Sequence, residues 1–335
     1  MKPPPLRSGD TIGVVSPSWG GAGLFPHRIE QGMRYAQSLG YRVKLAPHAL
    51  NNLGYVSDTA ENRAADIHTM FADPSVRAII AAIGGDHACH LLPLLDFDLI
   101  RRNPKIFMGY SDITVLNVAI WQKSGLTTFN GPAFMTDFGE YPQMLEYTEK
   151  SLLKTITRPE PAGDLYPAEA WTEETPAWER RADQEKPRTL QRSNGWTWLK
   201  PGNSAGRLIG GCIESLQHLR GTPFWPDWED TVLFWETSEE KPSPESVDGI
   251  LMDYENMGVF EKLSGMLVGR PMKYDEVEKR ELRERILERT AKYDFPVLTD
   301  LDFGHTSPQL TFPIGCRISI DSNARKLRLI EAAVN

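Results

Sequence analysis

A short, continuous apolar run from Arg77 to Ile83 (RAIIAAI) does most to limit what this chain can become. A run of this kind is what a strand covered on both faces requires. Its surroundings repeat the theme. Thr11 to Ser16 reads as a buried strand, Tyr41 to Leu45 as the next, and Lys105 to Met108 as a further one. Helices are predicted between them: His27 to Leu39, closed by Gly40; one capped by Ser57 or Asp58 and running to about Phe71; and Asp112 to Lys123, ended near Gly125. Repeated βα units imply a parallel sheet with helices on both sides.

The second half predicts strands at Thr231 to Trp235, Gly265 to Gly269, Phe295 to Thr299, Cys316 to Ile320 and Lys326 to Ile330. Helices are expected at Cys212 to Arg220, Pro244 to Met257 and Tyr274 to Tyr293, the last with a solvated, charge-dense face. Between the halves, Glu160 to Gly202 is rich in proline and charge, as a linker would be. It also holds Trp171, Trp178, Trp196 and Trp198, four of the nine tryptophans. A bare linker has no use for them, so the segment is expected to be ordered and to pack on the protein or on a ligand. With 335 residues the chain divides into residues 1–158, a loop at 159–202, and residues 203–335.

The composition removes several classes. Hydrophobic residues make up 40% and charged residues 24%, so the chain can bury a core. A net charge of −8 argues against binding a nucleic-acid polymer. No run approaches the ~18 apolar residues of a membrane span, and the start of the chain has no apolar signal core. A cytoplasmic protein without membrane contact is the expectation. Cys89, Cys212 and Cys316 lack disulfide or zinc-ligand spacing and read as reduced, buried thiols. His87 and His90 have no carboxylate or cysteine at an obvious spacing, so no metal site is expected.

The chemistry is sought at strand ends, because ligands of open parallel sheets bind outside the carboxyl ends of the strands. Gly109-Tyr110-Ser111-Asp112 joins an apolar strand to a helix. A serine there can project into the crevice as a nucleophile; it is also an ordinary N-cap. Gly84-Gly85-Asp86-His87 follows the RAIIAAI strand, either as a tight turn or as a source of N–H donors. Glu236 closes the strand at Thr231 to Trp235 and could orient a histidine, or be a solvated strand end. In the following Thr237-Ser238-Glu239-Glu240-Lys241-Pro242, Lys241 could meet a substrate carboxylate or phosphate, or lie on the surface. His305 lies on a loop between two strands and could be a general base or polar surface. Taken together, serine, acid and histidine form a triad hypothesis.

These segments resemble a known family. Gly84 to His87, Lys105 to Thr114 (KIFMGYSDIT), Arg207 to Leu216 (RLIGGCIESL), Leu233 to Glu236 and Gly304-His305 look like the LD-carboxypeptidase family of serine peptidases, in order and over nearly the whole chain. The branch containing the microcin C immunity proteins is the nearest resemblance. It implies an α/β fold: an N-terminal flavodoxin-like parallel-sheet domain and a smaller C-terminal β-rich domain. It also implies Ser111 as nucleophile, Glu236 as acid and His305 as base. The oxyanion hole would use backbone N–H groups of Gly85, Asp86 and Asp112. The site would form across the domain cleft, commonly in a homodimer, and needs no cofactor. Many members carry Asn where this chain has Cys212, which removes a polar donor.

The resemblance implies one of two substrates. Immunity-type members cut the amide or phosphoramidate-type link of aminoacyl-nucleotide conjugates; others remove a terminal D-amino acid from murein tetrapeptide. An indole can stack on a purine. Trp171 and Trp178 are the candidates for that contact, unless they only pack the loop onto its own domain. The nucleotide-linked substrate is preferred on this ground. A catalytically silent ligand-binding protein on the same fold is the reading of another class.

Overall fold

The computed structural model describes residues 1–335. The strands of the first half are β1 (Thr11–Val15), β2 (Arg42–Leu45), β3 (Val76–Ala81), β4 (Ile106–Gly109) and β5 (Thr128–Asn130). Short strands β6 (Pro161–Leu165), β7 (Ala170–Trp171), β8 (Gln191–Arg192) and β9 (Thr197–Lys200) follow. The remainder are β10 (Asn203–Cys212), β11 (Thr231–Glu236), β12 (Leu263–Gly269), β13 (Val297–Leu301), β14 (Phe312–Ile314), β15 (Arg317–Asp321) and β16 (Lys326–Ala332).

They form a six-stranded sheet in the order β14-β5-β4-β3-β1-β2 and an eight-stranded sheet in the order β6-β16-β15-β10-β11-β12-β13-β9, with β7 and β8 paired apart. The first sheet is parallel from β2 to β5, as the βα reading requires. Its sixth strand, β14, comes from the far end of the chain and runs antiparallel to β5. The second sheet is β-rich with a parallel centre, β10 to β13. The fold is therefore the mixed α/β architecture expected, with a parallel N-terminal sheet and a strand-rich second sheet.

One apolar core joins the two sheets: Ile79 and Phe107 of the first and Val232, Phe234 and Leu298 of the second belong to it. Between the sheets lies the helix Thr114–Ser124, whose residues from Thr114 to Ile120 are all buried. A helix buried on every side over its first two turns belongs in a core. Its first residue helps to fix the docking, since Thr114 Oγ1 accepts the Cys212 N–H at 3.0 Å.

Helix boundaries depart from expectation where a side chain has better work elsewhere. The helix predicted from Ser57 or Asp58 spans Ala60–Ala72 with Thr59 as its N-cap. Ser57 instead donates to the Ser16 carbonyl at 2.6 Å, and Asp58 accepts from Asn51 and Asn62. The charge-dense helix spans Glu276–Thr290, opened by a capping box between Asp275 and Glu278, and buries Leu282, Ile286 and Thr290.

Candidate active site

Ser111 stands two residues after β4 and opens the turn into the buried helix. Its φ is +61°, in the left-handed region, where a non-glycine residue costs about 1–3 kcal/mol and is found mostly at functional turns. The side chain lies against Gly84. A Cβ on Gly84 would sit 2.9 Å from Ser111 Oγ, so only glycine lets the β3 turn approach this closely.

Ser111 Oγ lies 3.1 Å from Nε2 of His305. On the other side of the ring, His305 Nδ1 is 2.7 Å from Glu236 Oε2. Glu236 closes β11 and is 1% exposed; His305 is carried by the loop between β13 and β14. Gly304, at φ +97°, brings that loop in: a Cβ there would meet Glu236 Oε2 at 2.5 Å. Burial pushes the Glu236 carboxyl up, while the facing His305 pulls it down. Burial disfavours charge on His305, but Glu236 and then Glu239 outweigh it and hold the imidazolium to about 10.

The turn after β3 is braced from below. Asp112 Oδ2 accepts the Ser18 hydroxyl at 2.6 Å and the Ala88 N–H at 2.7 Å, and Ser18 Oγ accepts the His87 N–H at 3.1 Å. The neighbouring Gly85 and Asp86 N–H groups find no acceptor within the protein. They border the same chamber as Ser111. Donors left free beside a serine hydroxyl are of the kind that stabilise a developing oxyanion.

Two adjoining cavities meet at this point. One, of about 380 Å³, is bordered by Ser111, His305, Gly84, Gly85 and Asp86. The other, of about 440 Å³, extends past Tyr110 and His305 to Phe25, Arg28, Trp178 and Arg188. Trp19, Thr136 and Glu239 border both.

The loop at 159–202 is ordered, as its tryptophans suggested. The Trp196 Nε1–H donates to Asp302 Oδ2 at 2.8 Å. Of the two tryptophans nominated for ligand contact, Trp178 borders the larger cavity, with the Arg28 guanidinium 4.8 Å from its ring centre. Trp171 is buried away from both cavities, between Arg270 at 4.6 Å and Lys279 at 5.7 Å. Lys241 also stands outside them, paired with Glu278 at 2.8 Å. Cys212 is buried, its Sγ 3.5 Å from Glu214 Oε2.

One residue escaped the sequence reading. Glu239 Oε2 lies 2.9 Å from His305 Nε2, the nitrogen that also faces Ser111. It sits in the segment from which Lys241 was chosen, and its spacing from Glu236 carried no recognisable signal.

The chain is similar to known proteins over most of its length. Family profiles described as the LD-carboxypeptidase N-terminal domain and C-terminal domain match residues 12–131 and 205–320. The chain is 32% identical to the microcin C7 self-immunity protein MccF of Escherichia coli, over 98% of this chain and 95% of that protein. It is 33% identical to a probable murein peptide carboxypeptidase of Bacillus subtilis (strain 168), over 100% of this chain and 95% of that protein. The solved structure of MccF in complex with aspartyl sulfamoyl adenosine matches with a TM-score of 0.92 at 32% identity, covering 100% of both chains.

Proposed function

The chain belongs to the LD-carboxypeptidase family and is a serine hydrolase, and on that footing we propose that it cleaves the amide or phosphoramidate-type link of aminoacyl-nucleotide conjugates through Ser111, His305 and Glu236. One observation carries the catalytic part: a single histidine spans Ser111 Oγ at 3.1 Å and Glu236 at 2.7 Å, beside free backbone donors.

His305, once neutral at Nε2, takes the Ser111 proton as Oγ attacks the acyl carbon. The carbonyl oxygen gains the negative charge and is met by N–H groups of Gly85, Asp86 and Asp112. Glu236 holds the ring with Nδ1 protonated and balances the imidazolium. His305 then returns its proton to the leaving nitrogen, the C–N bond breaks, and an ester on Ser111 remains. Water, deprotonated by His305, attacks that ester and restores the serine.

The substrate choice rests on Trp178. It borders the cavity that adjoins Ser111, where an indole can stack on a purine for roughly 1–3 kcal/mol. The structure matched over the full chain contains aspartyl sulfamoyl adenosine, which supports the same reading. The relative named as a murein peptide carboxypeptidase supports the alternative, removal of a terminal D-amino acid from murein tetrapeptide.

A mass-spectrometric assay with both compounds tests the choice. Wild type should release the amino acid from aspartyl sulfamoyl adenosine, and Ser111→Ala should lose at least about a thousandfold of that rate while staying folded. Cleavage of the tetrapeptide alone would reject the nucleotide reading. Full activity in Ser111→Ala would reject the nucleophile.

A further inference from the structure

The chamber around Ser111 has an unusual charge balance. Its ionisable side chains are Tyr55, Asp86, His87, Tyr110, Glu239 and His305, with no lysine or arginine among them. Glu239 is half-exposed and aims its carboxylate at His305 Nε2 from 2.9 Å, closer than Ser111 Oγ at 3.1 Å. With Glu236 hydrogen-bonded at Nδ1 and a second carboxylate, Glu239, ion-paired beside Nε2, the ring is held as an imidazolium. It has no lone pair left to accept the Ser111 proton. The resting geometry thus assembles the reacting groups and blocks the base.

Glu239 has little else to hold it there. Its carboxylate has His305 as its one ion-pair partner, and Lys273 Nζ donates to its backbone carbonyl at 3.0 Å rather than to its side chain. The His305 contact keeps Glu239 ionised down to about 2. The other groups facing the imidazole are Glu236 from β11 and Tyr110, the residue after β4, its ring centre 5.3 Å away.

We infer that Glu239 is a substrate-sensing residue: the free ammonium of an aminoacyl substrate draws its carboxylate off His305, and only then does the histidine become a base for Ser111. When Glu239 turns to the ammonium, the Nε2 proton of His305 passes to water and the lone pair faces the serine. The specificity so produced is for acyl groups carrying a positive charge next to the scissile bond. A neutral or N-blocked acyl group leaves the histidine clamped. The inference rests on Ser111 and His305 acting as proposed above, and it adds what the acyl side of the substrate must carry.

Glu239→Gln keeps the shape and removes the charge. Two measurements read its effect. In the first, Ser111 is labelled with a neutral fluorophosphonate, which carries no ammonium. The variant should react at least about tenfold faster than wild type at pH 7, since each unit by which the histidine pKa falls gives tenfold more neutral base. The midpoint of its pH profile should also move to lower pH. In the second, wild type should prefer aspartyl sulfamoyl adenosine over its N-acetyl form by about tenfold in kcat/KM, and the variant should lose that preference. Equal labelling rates would overturn the clamp, and an undiminished preference in the variant would overturn the ammonium role. Absence of labelling in both proteins would remove the nucleophile itself, and this inference with it. If labelling differs as expected but neither nucleoside is cut, the substrate reading fails and the ammonium assignment goes with it.

Discussion

Gly304 and His305 share one constraint: the imidazole reaches both Ser111 and Glu236 only because residue 304 has no side chain. Gly304→Ala would place a methyl group 2.5 Å from Glu236 Oε2 at a φ of +97°, so either the carboxylate or the loop must move. Misplacement of about 1 Å costs roughly a hundredfold in rate, and a kcat loss of that order, with the fold retained by circular dichroism, is the expected result. A second prediction follows from the charge on His305. Its folded pKa, about 10, lies above its unfolded value of 6.5. Its stabilising effect is therefore complete below about 6.5 and is lost as the pH rises through about 10. Between pH 6 and 10 the urea midpoint should fall further in wild type than in Glu239→Gln, whose histidine gives up its proton earlier. An identical fall would show that Glu239 does not support the charge. At this scale the positions of Ser111, Glu236 and His305 at strand ends and loops suggested only a triad hypothesis, and it was the family resemblance that implied their roles. The sequence reading passed over Glu239 because, of the neighbouring acids Glu239 and Glu240, one is singled out only by the turn that folds it back on the histidine.

The loop at 159–202 shows how a polar, proline-rich segment becomes an ordered wall. Asp183, 3% exposed, accepts from Arg28 Nη1 at 2.9 Å and lies 3.3 Å from His27 Nε2. Arg28 in turn covers the Trp178 ring. One carboxylate thereby fastens the loop to the helix Pro26–Ser38 and sets the tryptophan at the cavity edge. Asp183→Ala would strand the Arg28 charge, and removing one partner of a buried pair costs about 3–5 kcal/mol. We expect faster proteolysis within 174–190 and a raised KM for the nucleoside substrate, with kcat little changed. Unchanged proteolysis would mean that Trp196 and Asp302 hold the loop without it. Order in this segment was legible from its tryptophans. Its strands were not: β7 and β8 are two residues each, while β6 and β9 pair with chain far off in sequence, at β16 and β13. β14 was missed for a related reason: it contains Pro313, which argues against a strand except at a sheet edge, and the edge beside β5 is where it lies.

Across the whole molecule, the shared core and β14 make the two sheets mechanically dependent. Val15 and Ile79 belong to the same apolar core as Leu208 and Phe312, and removing the second half would strip β5 of its neighbour. Thermal unfolding should therefore be one transition, with far-UV and near-UV circular dichroism coincident. Two resolved transitions would show that the sheets unfold separately. The parallel first sheet was legible from local pattern, since each βα unit announces itself within a few tens of residues. The exchange of a strand between sheets was not, because no local pattern records a partner nearly two hundred residues away.

The chain leaves the second sheet at Leu301, enters the first at Phe312 and returns to the second at Arg317, and His305 rides on that crossing. This bears on how such proteins could recombine. A chimaera joined near residue 202 inherits Ser111 from one parent and His305 from the other. It also inherits a foreign edge strand that must pair with the host's β5. Exchange of halves is thus filtered first by whether three residues, Phe312 to Ile314, fit a stranger's sheet. Lineages that pass this filter bring the histidine into place by the same fit.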